Sequence, residues 1–213
     1  MILDLCGLSE IKLLLRATDK HSDVTEALMM LLQVKRQLLE YQGAWLYRLA
    51  KHYQGKVNIL EIGTFMGYSA ALMAMAAPRA SITTLNPAAG EVIQARRNLA
   101  KWPNVKVLPV ASWDYFTTKA PRSQENDEEL YDMIFVDGDH RHIERDLPWF
   151  NRLKVGGLML FHDYSPADAS HPCPPVYEAL NRMAEKLHGF DVLIIDDGKT
   201  GMAGICRREG EAW

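Results

Sequence analysis

From Lys56 onward the chain alternates short runs rich in apolar and β-branched residues with longer mixed ones. Val57–Ile62, Ser81–Leu85, Val105–Pro109, Tyr131–Val136 and Gly157–Phe161 span five or six residues each. Runs of this kind suit strands covered on both faces. Between them the pattern predicts helices over Tyr68–Ala77, Ala88–Lys101, Ile143–Leu153 (with Pro148 inside) and a short one near Trp113–Thr118. Another is opened by Pro174-Pro175, where proline suits a first turn. Phe190–Ile195 and Met202–Arg207 flank the turn signal Asp196–Gly201, which predicts a closing hairpin. Alternating β and α units make a parallel sheet with helices on both faces. The expected fold is therefore α/β: a doubly wound, mostly parallel, seven-stranded Rossmann-like sheet with one antiparallel strand near the C-terminus.

Residues 1–55 read as helical. Ser22-Asp23 would cap a long helix from Val24 to Tyr41, Gly43 would interrupt it, and a further helix would carry Trp45 to Tyr53. Leu28, Met29, Met30, Leu31, Leu32, Val34, Leu38 and Leu39 surround much of the long helix, so it is expected to be covered on two sides. Residues 1–55 are thus a cap over the sheet or a homodimerisation segment, and residues 56–213 the ligand-binding domain.

Composition narrows the function classes. A net charge of −3 offers no basic footprint for nucleic acid. Cys6, Cys173 and Cys206 are far apart and odd in number, which suits free thiols in a cytoplasmic protein. Asp4 stands where a signal peptide needs basic residues, and no run reaches the roughly 18 apolar residues of a membrane span.

The chemistry concentrates where Asn58–Ile62 runs into Gly63–Gly67 and then a helix beginning at Tyr68. A strand, a glycine-spaced turn and a helix N-terminus open a ligand crevice in such sheets. Gly63 and Gly67 are four apart, so there is no G-x-G-x-x-G, and no Gly-Lys-Ser/Thr follows to hold phosphates. The carboxylate of Glu61 instead suits a ligand carrying an ammonium group and positive charge, such as S-adenosylmethionine (SAM). The plainer alternative is that both glycines serve packing alone. Polar residues nevertheless collect after each of five strands: Asn86 after the second, Ala111, Ser112 and Trp113 after the third, Asp137–His142 after the fourth, and His162, Asp163 and Tyr164 after the fifth.

Leu60-Glu61-Ile62-Gly63-Thr64-Phe65-Met66-Gly67-Tyr68-Ser69-Ala70 resembles the first motif of class I SAM-dependent O-methyltransferases of the catechol and caffeoyl-CoA branches. Val110–Asp114 resembles their adenine-side segment. Tyr131–His140 and Gly156–Tyr164 resemble a related branch that includes macrocin-type sugar O-methyltransferases. The likeness runs from about Val57 to Arg207.

It implies that Gly63, Thr64, Phe65, Gly67 and Tyr68, beside Glu61, hold the methionine part of SAM, with Ser69 at its carboxylate. Asn86 would face the ribose, and Ala111, Ser112 and Trp113 the adenine. Asn86 departs from the usual acidic residue; an amide lacks the charge-assisted acceptor bonds of a carboxylate, so weaker cofactor affinity is expected. Asp137 would border both the cofactor and a divalent ion, Mg²⁺ or Mn²⁺, completed by His162 and Asp163. The alternative is that His162 only hydrogen-bonds within the site and no ion binds. His140, three residues after Asp137, stands where the relatives place the base that takes the proton of a small-molecule hydroxyl. His142 is the weaker substitute, while His171, Cys173, His21, His52 and His188 read as structural.

Methyl transfer from SAM to a hydroxyl is the expectation. A metal-dependent hydrolase or oxygenase using the Asp/His cluster is one alternative, and a non-catalytic SAM-binding protein on the same scaffold is another.

Overall fold

Ile59 and Leu60 are neighbours in sequence and both wholly buried, yet they belong to different cores. Met133 and Ile134, and Leu158 and Met159, divide the same way. Side chains alternate across a strand, so a sheet with two apolar faces requires cover on both, and helices supply it. The computed structural model describes residues 13–16, 24–53, 55–118, 130–195 and 200–213.

Among the described residues there are eight strands, β1 (Leu13–Arg16), β2 (Asn58–Ile62), β3 (Ser81–Leu85), β4 (Val105–Leu108), β5 (Tyr131–Val136), β6 (Leu153–Tyr164), β7 (Val192–Ile195) and β8 (Gly201–Cys206). The helices are α1 (Thr25–Met30), α2 (Glu40–His52), α3 (Tyr68–Ala76), α4 (Ala89–Asn98), α5 (Ser112–Thr118) and α6 (Pro174–Lys186). The strands form one sheet in the order β1-β7-β8-β6-β5-β2-β3-β4. All neighbours are parallel except those of β8, which runs antiparallel to β6 and β7. The seven strands from β2 to β8 are those expected. From β2 the chain steps outward through β3 and β4, then returns to place β5 on the other side of β2. That reversal opens a crevice beyond the carboxyl ends of β2 and β5.

The N-terminal third departs from the sequence expectation. Leu13–Arg16, read as helical, is a strand paired in parallel with β7. The long helix is interrupted: α1 stops at Met30, and the chain is non-helical until α2 begins at Glu40. The new start is capped locally, because the Gln42 side-chain oxygen accepts the Leu39 N–H at 2.8 Å and so satisfies a donor that a helix start leaves unpaired. Gly43 does not break α2. It lies inside, against α3, where a Cβ would sit 3.2 Å from Leu72 Cδ1. Met29, Met30 and Leu32 of the interrupted stretch are exposed.

The segment read as helix Ile143–Leu153 is two 3₁₀ stretches, His140–Arg145 and Leu147–Arg152, with Pro148 in the first turn of the second. β6 starts at Leu153 and runs through His162 and Asp163 to Tyr164, longer than the expected Gly157–Phe161. His21, Ser22-Asp23, Cys6 and residues 196–199 lie outside the described residues. No helix of the described residues is long and apolar enough to cross a membrane.

Phe135, fully buried in the central strand β5, measures how far the sheet core holds the molecule together. Phe135→Ala removes that ring and leaves a cavity, so unfolding in urea should cost about 3–5 kcal/mol less than in the parent, with the midpoint falling and the slope unchanged. A loss below 1 kcal/mol would show that the core relaxes around the gap.

Candidate functional site

The turn after β2 is held by its backbone. The N–H groups of Gly63 and Thr64 both donate to the Leu85 carbonyl, at 3.0 and 3.2 Å, tying it to the end of β3. Gly67 N–H donates to Thr64 O at 2.8 Å and closes the turn as α3 starts. Gly63 has φ +104°, a conformation that L side chains rarely adopt, and a Cβ there would run into the Asp137 carbonyl. At Gly67 (φ +85°) a Cβ would come within 2.8 Å of Leu99 Cδ1. Both positions therefore exclude a side chain on two grounds, backbone conformation and space.

A cleft of about 300 Å³ opens above this turn. Gly63 and Phe65 form one wall, Leu85, Asn86, Pro87 and Glu91 the next, and Ala111, Ser112 and Trp113 the third. Asp137, Gly138, Asp139 and Asp146 close it, with Gln37 at the rim. A small recess adjoins it, lined by Arg36, Leu38, Thr64, Tyr68 and Ser69 and sharing Gly63, Phe65 and Asp137. The larger cleft thus carries four carboxyl side chains and, among the described residues, no lysine or arginine.

Gly63, Thr64, Phe65, Tyr68, Ser69, Asn86, Ala111, Ser112, Trp113 and Asp137 are brought together as the sequence led one to expect. Glu61 and Gly67 line neither space. Glu61 is wholly buried beneath the turn, where Thr84 donates to its Oε2 at 2.5 Å and is itself in contact with Thr64 at 2.5 Å. Burial, with a smaller contribution from Asp137, pushes its carboxyl up to about 8 against the opposing hydrogen bonds of Ser69 and Thr84. Its place is under the turn, so a direct ion pair between Glu61 and a ligand's ammonium group is not what the structure provides.

Beside the cleft lies a cluster of histidines and carboxylates. His162, at the end of β6, is buried, with Nδ1 3.0 Å from Asp137 Oδ1 and 3.2 Å from Asp163 Oδ1. Its Nε2 lies 3.0 Å from the side-chain oxygen of Gln42. The orientation of Gln42 is settled by two backbone groups: Leu39 N–H donates to its oxygen, and its amide donates to Thr200 O at 3.1 Å. The acceptor therefore faces His162, so Nε2 must carry a proton.

A neutral ring would then turn the bare Nδ1 lone pair toward two carboxylates. The group demands a cation there, either a second proton or an ion. In keeping with this, burial opposes charge on His162, but Asp137 and Asp163 overcome it and raise its pKa. For Asp137 the balance runs the other way: burial would raise it, yet the charges and hydrogen bonds of His162 and His140 bring it down to about 2.

His140 completes the cluster. Its Nε2 lies 3.5 Å from Asp137 Oδ1 and its Nδ1 3.6 Å from Asp163 Oδ2. Asp163 is fixed by the Thr200 hydroxyl, which donates at 2.7 Å, and has φ +56°. Cys173, read as structural, lies 3.7 Å from His140 Nδ1. His142 is turned away, 3.0 Å from Asp139.

The sequence profile of a methyltransferase-domain family matches residues 60–164. These residues hold the turn, most of the cleft wall and the cluster's Asp137, His140, His162 and Asp163. A catechol O-methyltransferase of Niastella koreensis is 32% identical over 127 residues, covering 57% of this chain and 55% of that protein. The chain therefore spans about half the length of the curated relative it matches. The structure of cofactor-bound Rv0187 from MTB superposes with a TM-score of 0.67 at 22% identity, covering 90% of this chain and 91% of that one. TomG, an O-methyltransferase of Streptomyces achromogenes involved in tomaymycin synthesis and solved in complex with SAM, gives 0.64 at 20% identity, covering 87% and 96%. At these identities the two structures establish a shared fold.

Several residues at the cleft were not visible in the sequence motifs. Arg36, whose guanidinium donates to Tyr68 OH at 3.0 Å, and Gln37 come from the break in the predicted long helix. Gln42 reaches His162 across 120 positions. Asp146 accepts a short hydrogen bond from Ser112, and burial pushes its carboxyl up to about 6. Only Glu91 had a local signal, an acidic residue in the first turn of the helix after β3.

A pH dependence follows. Glu61 is protonated in the fold up to about pH 8 but ionises near 4.5 when unfolded. Between those values the native state binds the extra proton, so stability falls as pH rises, by at most about 1.4 kcal/mol per pH unit. Glu61→Gln removes this contribution. Urea midpoints should match near pH 5 and diverge by pH 8 in favour of the variant; parallel curves would show that Glu61 is already ionised in the fold.

Proposed function

We propose that this protein transfers the methyl group of SAM to a hydroxyl of a small molecule. The observation that carries the proposal is the cleft itself, lined by four carboxyl groups with no basic residue among its described lining and sharing Asp137 with the His140 cluster. A cleft of that sign favours a cationic sulfonium and disfavours the pyrophosphate of a dinucleotide. In this reading the adenine lies toward Ala111, Ser112 and Trp113, and the methionine carboxylate toward Arg36, Tyr68 and Ser69 in the recess. A guanidinium there supplies the charge-assisted bonds a carboxylate prefers. The likeness to a catechol O-methyltransferase makes a catechol the first acceptor to try, and the motif resemblance to macrocin-type enzymes makes a sugar hydroxyl the second.

His140 acts as general base. Its Nε2 faces Asp137 and its Nδ1 faces Asp163, so two carboxylates stand ready to stabilise the imidazolium formed when it takes the acceptor's hydroxyl proton. As the oxygen attacks, its bond to the methyl carbon forms, the carbon–sulfur bond breaks with its electrons left on sulfur, and the O–H proton passes to the His140 imidazole. Oxygen, carbon and sulfur must be held in line at about 3–3.5 Å contact, which falls to the walls of the cleft.

The residues also fit a divalent ion. Ligand atoms at adjacent corners of an octahedron with bonds of about 2.1 Å lie about 3.0 Å apart, and His162 Nδ1 is 3.0 and 3.2 Å from the Asp137 and Asp163 oxygens. That nitrogen is buried and has no well-directed hydrogen bond. Asp137 and His162 group with His140, whereas Asp163 groups with His140 and Cys173. In this reading Asp137 and His162 would hold the ion, with Asp163 at its edge and Gln42 fixing the ring so that Nδ1 is the ligand. An imidazole in the set favours Mn²⁺, Fe²⁺ or Zn²⁺ over Mg²⁺. When bound, such an ion would stabilise an alkoxide and orient it.

The test of the function is methyl transfer from labelled SAM to a panel of catechols and sugars. In His140→Ala, SAM should bind as in the parent while turnover falls about 10²- to 10⁴-fold. Turnover equal to the parent's would remove His140 from the base role. For the ion, Mn²⁺ binding followed by its paramagnetic signal should weaken at least tenfold in Asp137→Asn; equal affinity would mean that Asp137 is not a ligand.

A further inference from the structure

Asn86 stands at the end of β3, buried, on the wall of the cleft, and its amide is already committed at both ends. Its oxygen accepts the Ala88 N–H at 2.9 Å, and its nitrogen donates to Glu91 Oε2 at 2.8 Å. Both bonds turn the chain from β3 into α4 and place Glu91 in the helix's first turn. Positive partial charge from the unpaired N–H groups favours a carboxylate at that end of a helix. Glu91 is partly exposed and lines the same cleft wall as Leu85, Asn86 and Pro87. One of its oxygens is held by Asn86. The other, Oε1, has no hydrogen-bond partner among the described residues.

The two side chains make a composite group. A carboxylate accepts only, and its two oxygens suit the paired donors of a vicinal diol; Asn86 keeps one N–H for a hydroxyl oxygen. We propose that Glu91, held in place by Asn86, is the residue that grips the 2′,3′-diol of the bound nucleoside. The carboxylate whose absence at position 86 suggested weak cofactor binding is supplied from five residues further on. The pair is selective in consequence: an unmodified diol donates to Glu91, a 2′-phosphate is repelled by it, and a 2′-deoxy sugar leaves it short of a donor. This assignment rests on the SAM reading of the cleft.

The test is calorimetry with S-adenosylhomocysteine and its 2′-deoxy analogue on the parent and on Glu91→Gln. A hydrogen bond to a charged group corresponds to about ten- to hundredfold in affinity. The parent should lose that factor when the ligand loses its hydroxyl. Glu91→Gln should lose a similar factor on the intact ligand and little more on the deoxy one. A variant that binds both ligands like the parent, or that loses equally on both, overturns the role of Glu91 while leaving the cofactor reading intact. A parent that binds neither ligand overturns the cofactor reading, and Glu91's role with it. Because Glu91 is partly exposed, Glu91→Gln is expected to fold; matched thermal melting of parent and variant confirms that the comparison is between folded proteins.

Discussion

Gly63 has room for a hydrogen atom and nothing larger. The carbonyl of Asp137 occupies the volume that a Cβ would need, so the turns after β2 and β5 are in direct backbone contact where the sheet reverses direction. That contact fixes the distance between two loops that otherwise belong to separate strand–helix units. It sets the floor of the cleft on one side and delivers the Asp137 side chain to the histidine cluster on the other. With the turns pinned, the loops after β3 and β4 have only to bring up walls, and they do so through short local devices. The Leu85 carbonyl takes two N–H groups from the β2 turn, and Asn86 caps the entry to α4.

The second organising principle is electrostatic. Two carboxylates, Asp137 and the more exposed Asp163, converge on buried His162, whose other nitrogen must donate to Gln42. Such an arrangement is costly unless the positive charge between the carboxylates is permanent. Gln42 lies in α2, and the Tyr41 hydroxyl and Gln42 amide both bind the carbonyl of Thr200, whose own hydroxyl holds Asp163. The helix that begins at Glu40 is thus wired into the chemistry. It does more than cover a sheet face.

The sheet was legible because strand burial on both faces imposes long apolar runs, and because each strand-to-helix turn carries its own glycine, proline or polar signal. Residues 60–164 hold the motifs, so Gly63, Phe65, Asn86, Ala111, Ser112, Trp113 and Asp137 of the cleft were legible in them, whereas Leu85, Pro87 and Glu91 were not. What escaped was whatever depended on distance along the chain. The break between Met30 and Glu40 has no proline or glycine to announce it; it exists because Gln42 caps Leu39 and Arg36 finds Tyr68. Glu61 read as a ligand group because it ends a strand, but Thr84 opposite it, on another strand, marks it as a buried member of the turn's support. Strand β1 escaped for the same reason, since its partner β7 lies nearly the whole chain away.

The claim beneath all of this is that the acidic cleft at the sheet's reversal holds an adenosyl ligand. A crystal structure of the protein with S-adenosylhomocysteine tests it directly. The account predicts the nucleoside in the cleft, with its base against Ala111 and Trp113 and its amino-acid end toward Arg36 and Ser69. A nucleoside bound elsewhere on the molecule, or a cleft that closes on its own side chains and leaves the ligand in solvent, would contradict it.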